Sequence, residues 1–174
     1  MVLGLSLAAF TQLHTIISLI AIVTGLIALI AFARGRWLGS IMQIFVWTTV
    51  ATTVTGFLFP FNGFTPAIGT GIVSSVVLAG LLFALYKAKR PGEVHRLFAV
   101  TATISLYLNL FVLVVQSFLK IPALHALAPL GKEPPFVAAQ GAVLLASIAL
   151  GYFCVKAARR PSGIRLLASA GSAI

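Results

Sequence analysis

Three imidazoles, one thiol and two carboxylates are the side chains this sequence offers to acid–base, nucleophilic or metal chemistry: His14, His95, His125, Cys154, Glu93 and Glu133. Paired acid and base catalysis needs two such groups within reach of one substrate. Glu93 and Glu133 stand on either side of a long apolar run, so they cannot share one. No serine or cysteine stands beside a base in the pattern of an activated nucleophile, and no glycine-rich phosphate loop occurs. A single cysteine forms no disulfide framework, no paired-cysteine redox motif and no c-type haem attachment. Cys154 is expected to be a small buried apolar residue.

His14 and His125 fall on the same side of the chain's apolar segments, where Gln12, Asn62, Gln116 and Gln140 make up a candidate polar cluster. Neutral imidazoles there are suited to a divalent metal or a b-type haem iron. Metal ligands generally want a carboxylate or carbonyl behind them, and neither ring has an acidic neighbour. If the outer loop folds back over the first helix, the two rings approach each other and Gln116 or Gln140 is the nearest group able to orient them; the favoured expectation is instead that each ring simply bonds a carbonyl or hydroxyl at the interface. His95, followed by Arg96 in a basic loop, is expected to be solvated or beside lipid phosphate.

A second set of polar groups lies inside the apolar segments. Thr101, Ser105, Asn109 and Gln116 follow one another at steps of four, four and seven, which keeps them on one helix face. An unpaired amide in hydrocarbon costs several kcal/mol, so Asn109 requires a partner, for which the threonines at 48, 49, 52, 53 and 55 are the candidates. Such bonds serve as interhelical glue. Alternatively, Thr52, Asn109, Gln116 and Gln140 line a site for a quinone head group or lipid.

The elements that must position these residues follow from composition. The chain is 60% hydrophobic and only 8% charged, against roughly 25% charged in a soluble domain. Five segments are long enough to cross a hydrocarbon layer of about 30 Å, which takes roughly 20 helical residues. They lie near 10–33, 40–60, 67–86, 96–119 and 136–157. A backbone in lipid must satisfy its own amides, and runs such as IISLIAIVTGLIALIAF lack the alternation of barrel strands. The fold class is therefore all-α, an integral membrane bundle of five transmembrane helices. One helical domain covers residues 1 to 160, and residues 161 to 174 form a short basic tail able to lie on an anionic leaflet. The first ten residues lack the positive region of a signal peptide, so the first helix is expected to be retained.

A net charge of +10 would suggest nucleic acid if the basic residues were clustered on one surface. Instead they sit between apolar segments. Ten of them (Arg34, Arg36, Lys87, Lys89, Arg90, Arg96, Lys156, Arg159, Arg160 and Arg165) fall on one side, and only Lys120 and Lys132 fall on the other. Cytoplasmic loops retain Lys and Arg, so the N-terminus is expected outside and the C-terminus in the cytoplasm, with the lipid bilayer as partner and no nucleic acid.

Small residues let membrane helices approach closely. Ala67, Gly71, Ser75 and Ala79 form one such line, and His14, Ser18, Ala21, Gly25 and Ala28 another. The one long polar interruption, SFLKIPALHALAPLGKEPPF, joins the fourth and fifth segments. Its prolines exclude a continuous helix, although LHAL can make one interfacial turn that caps the bundle. A loop of this length is more often functional than a short one.

The phrases HTIISLIAIVTG, TTVATTVTGFLFPFNGFTPAIG, SLYLNLFVLVVQSFLKIPALHALAP and EPPFVAAQ resemble those of a family of small uncharacterised proteobacterial inner-membrane proteins, over His14 to Gly151. The resemblance implies a multi-pass protein of the bacterial inner membrane and brings no activity with it. Two functional classes follow as expectations. The first is a non-enzymatic protein, either an accessory subunit of a larger membrane complex or homo-oligomer, or a small bundle binding a lipid or quinone. The second is a haem- or metal-binding protein using His14 and His125.

Overall fold

The computed structural model describes residues 2–60, 63, 66–87 and 93–159. Asn62 and the tail after Arg159 lie outside the described residues, as does the reading of that tail as a helix on the leaflet. The described chain is helical: α1 (Leu7–Ala33), α2 (Gly39–Phe57), α3 (Pro66–Tyr86), α4 (Glu93–Lys120), the short α5 (Pro122–Leu127) and α6 (Pro134–Ala158). Five of these, all but α5, are long and apolar enough to cross a membrane.

The boundaries differ from those expected where local chemistry overrides hydropathy. Helix α1 begins three residues earlier than position 10 because Ser6 caps it, its Oγ accepting from the Ala9 amide at 3.2 Å. Its end is a Schellman motif. Gly35, at φ +79°, turns the chain so that its amide reaches the Phe32 carbonyl at 2.8 Å and the Arg36 amide reaches Ala31 at 2.9 Å. Helix α2 stops at Phe57 instead of 60, since Pro60 disfavours helical backbone in the residue before it. Helix α6 starts at Pro134, whose missing amide hydrogen costs nothing at a first helical position.

Helix α4 is the hub, packing against α1, α3, α5 and α6, while α1 also packs along α2. The bundle has two unlike ends. Around the end that carries Arg34, Arg36, Arg96 and Arg159, an apolar core closes on Leu29, Phe32, Phe45, Leu81, Phe98 and Leu106. Phe32 meets Trp37 and Phe98 edge-on, with centroids 6.0 and 5.5 Å away. Toward the opposite end, the contacts between α1, α2 and α4 become polar.

The small-residue line of α1 is the packing face expected of it. Ala21, Gly25 and Ala28 are buried, and Gly25 touches the Phe45 ring of α2 and Leu106 of α4 so closely that a Cβ would sit 2.7 Å from Phe45 and 3.0 Å from Leu106. On α3, the line is covered at Gly71 by the Phe57 ring, at 3.0 Å from where a Cβ would stand. Ser75 returns its hydroxyl to the Gly71 carbonyl at 2.9 Å.

Candidate functional site

Thr49, Thr52 and Thr55 recur every third residue on α2 and so share one face, against which α1 and α4 place their polar side chains. At the top of this ladder, the Thr55 hydroxyl donates to the Ala51 carbonyl at 2.6 Å. Its oxygen then accepts from His14 Nδ1 at 2.8 Å, which assigns the ring proton to Nδ1. Phe59 holds the imidazole edge-on at 5.2 Å. One turn along α1, Ser18 donates to the His14 carbonyl at 2.8 Å and lies 3.4 Å from Thr52 Oγ1. Below it, Asn109 of α4 donates through Nδ2 to Thr49 Oγ1 at 3.3 Å. Asn109 thus has the helix-two partner that its depth in the apolar run requires.

His125 is engaged elsewhere. Helix α5 turns the chain back after Ile121, and the exposed His125 ring places Nδ1 at 3.3 Å from the Phe118 carbonyl. His14 and His125 therefore each bond a hydroxyl or a carbonyl, and the two bonds are independent. Among the described residues, no three metal-ligating side chains gather. The groups that bond the rings are the Thr55 hydroxyl and the Phe118 carbonyl. Gln116 is exposed. Gln140 donates to the Phe111 carbonyl at 3.2 Å, and its Oε1 is buried without a partner. No bond joins either glutamine to Asn109 or Thr52, so the four candidate ligand residues are not linked into one polar site.

His95 also departs from expectation. Because α4 begins at Glu93, three residues before position 96, His95 falls on the face that continues through Phe98, Ala99 and Ala102 into the core. It is 1% exposed, and neither ring nitrogen has a hydrogen-bond partner. Cys154 is buried as expected, its thiol directed at the Leu29 carbonyl at 3.5 Å between α6 and α1.

The loop between α4 and α6 is a built turn. Gly131 adopts φ +65°, and the Glu133 carboxylate folds back to accept the amides of Lys132 at 2.8 Å and Leu130 at 3.0 Å. Those two amides, Lys132 foremost, hold the Glu133 carboxyl below the usual carboxylate range.

The feature that sequence reasoning missed lies on the other side of α4. Between α4 and α6 runs a laterally open groove of about 200 Å³, lined by Val100, Thr103 and Tyr107 on one wall and Ser147, Gly151 and Val155 on the other. Its floor is set by Gly151, since a Cβ there would meet Thr103 Cγ2 at 3.2 Å. Thr103 turns its hydroxyl inward to the Ala99 carbonyl at 2.8 Å, leaving its methyl group for α6. The signal was legible as Ser147 and Gly151 at spacing four on α6.

No protein-family model, curated protein or solved structure matches the chain.

Proposed function

We propose that this chain is a non-enzymatic multi-pass protein of the bacterial inner membrane, with its N-terminus outside and its C-terminus in the cytoplasm, that binds a membrane lipophile along the α4–α6 groove. The observation that carries the reading is the groove itself: apolar, open to the side, and set between two helices that the chain is apolar enough to hold in lipid. None of the polar groups named for a quinone head group lines this groove, and two of them are engaged in other bonds. Asn109 donates to Thr49, and Thr52 lies beside Ser18. The groove accordingly suits a hydrocarbon tail better than a ring that must be hydrogen-bonded. The orientation rests on ten basic residues against two.

The reading is tested by purifying the protein from native membranes in mild detergent and identifying co-purifying lipophiles by mass spectrometry. Ile148→Trp, which places an indole in the groove from an exposed position, serves as the comparison. A retained molecule that is lost in Ile148→Trp supports the proposal, and identical lipid content in both proteins contradicts it.

A further inference from the structure

The groove has a length and a charge that its apolar lining alone does not explain. Along α6 it extends from Leu144 to Val155, an advance of roughly 17 Å at 1.5 Å per residue. That is close to half of a hydrocarbon layer about 30 Å thick, or the depth of one leaflet. The α4 wall uses Val100, Thr103, Ile104 and Tyr107, a stripe at steps of three and four, and the same stripe continues one turn outward to Arg96. On α6, the stripe through Leu144, Ile148, Gly151 and Val155 continues one turn outward to Arg159, whose backbone is still helical at φ −82° and ψ −13° and whose amide bonds the Val155 carbonyl at 3.2 Å. Since α4 enters the bundle where α6 leaves it, Arg96 and Arg159 each fall one helical turn, about 6 Å along the axis, beyond the last apolar residues at the same end of the groove. Both side chains are exposed, as is Lys156 beside them. Glu133, the N-cap residue of α6, stands at the opposite end of that helix.

Resting on the reading of the groove as a lipophile site, we propose that its occupant is an anionic phospholipid of the leaflet on the basic side, with one acyl chain along the α4–α6 groove and its phosphate between Arg96 and Arg159. Arginine recognises phosphate through a planar fork of donors, and two forks at one mouth suit a headgroup that brings no ammonium of its own. A zwitterionic lipid offers the same chain, but its cationic choline would stand against the two guanidinium groups. The hydrocarbon wall supplies position, and the arginines supply choice of headgroup.

The test uses the full chain reconstituted in phosphatidylcholine vesicles with a trace of photoreactive phosphatidylglycerol or photoreactive phosphatidylcholine, the two probes carrying the same acyl diazirine. Adducts are mapped by peptide mass spectrometry. A basic residue near a membrane surface favours anionic lipid by roughly fivefold. Labelling of the 144–155 segment by the phosphatidylglycerol probe should therefore exceed that by phosphatidylcholine by about twentyfold at low salt. Arg96→Gln or Arg159→Gln should each reduce the preference about fivefold, and the double variant should bring it near parity while the segment is still labelled. The unmodified protein provides a check independent of any folding defect, since its preference should shrink as ionic strength rises. Equal labelling of the segment by both probes would overturn the headgroup assignment and leave the groove reading standing. Labelling of the segment by neither probe, including a groove occupied by a second copy of the chain, would overturn both.

Discussion

Gly25→Ala adds one methyl group at the point where α1, α2 and α4 meet, and the structure fixes what it would encounter. The new Cβ would lie 2.7 and 2.8 Å from two atoms of the Phe45 ring and 3.0 Å from a Leu106 methyl. Neither neighbour has room to yield, because Phe45 is 0% and Leu106 1% exposed. Overpacking of this kind costs about 1–3 kcal/mol. Gly141→Ala is the matched control, since it lies within α6 and a Cβ there meets nothing within 4 Å. Both changes gain the same intrinsic helix preference, up to about 1 kcal/mol, so the difference between them isolates the clash. In equilibrium unfolding from mixed micelles, Gly25→Ala should be about 1–3 kcal/mol less stable than Gly141→Ala. The deficit should shrink by more than half in a Phe45→Leu background, where the ring is gone. Stabilities of Gly25→Ala and Gly141→Ala within about 0.5 kcal/mol of each other would refute the close approach of the three helices.

His95→Leu should be neutral or stabilising in the same assay, because it replaces an unpartnered buried imidazole by an apolar group of similar volume; leaving such a group unsatisfied costs about 1–3 kcal/mol, and a marked destabilisation would mean that the ring has a partner. Asn109→Leu and Thr49→Val should each be tolerated, with a double-mutant coupling of about 0.6 kcal/mol; a coupling indistinguishable from zero would show that the amide and hydroxyl do not bond. At the turn between α5 and α6, Glu133 is the acceptor of two amides and its pKa is depressed in the fold, so its contribution to the turn is present above the ordinary carboxylate pKa of about 4.3 and is lost as pH falls through the lower folded value. The Leu130 and Lys132 amide resonances should titrate together with a midpoint below that ordinary value, and a midpoint at or above it would contradict the carboxylate's role.

Much of this architecture was legible because a hydrocarbon environment leaves few choices. Apolar runs of the right length had to be helices, Asn109 had to find a threonine, and the line through Ala21, Gly25 and Ala28 had to be a contact face. The misses share a physical cause, namely that hydropathy does not see helix ends. Ser6 begins α1 early, Pro60 shortens α2, and the start of α4 at Glu93 turns His95 from a loop residue into a core residue. The α4–α6 groove escaped notice for a different reason. Grooves arise from where packing is incomplete between two helices, and Thr103, Ser147 and Gly151 each look like ordinary small packing residues until both helices are placed. The candidate cluster of His14, His125, Gln12, Asn62, Gln116 and Gln140 rests on residue type and approximate depth, which do not contain the helix rotations that leave Gln116 exposed and bring Gln140 to the Phe111 carbonyl, and Asn62 lies outside the described residues.

The central claim is that a lipid-like molecule, and not another protein, covers the α4–α6 groove. A photoreactive benzophenone residue replacing Leu144, a groove-lining residue that is partly exposed, can be irradiated in intact native membranes and the adduct identified by mass. The account predicts an adduct with the mass of a membrane phospholipid that disappears when Ile148→Trp fills the groove. A cross-link from this position to a second polypeptide, whether another copy of the chain or a larger subunit, would contradict it.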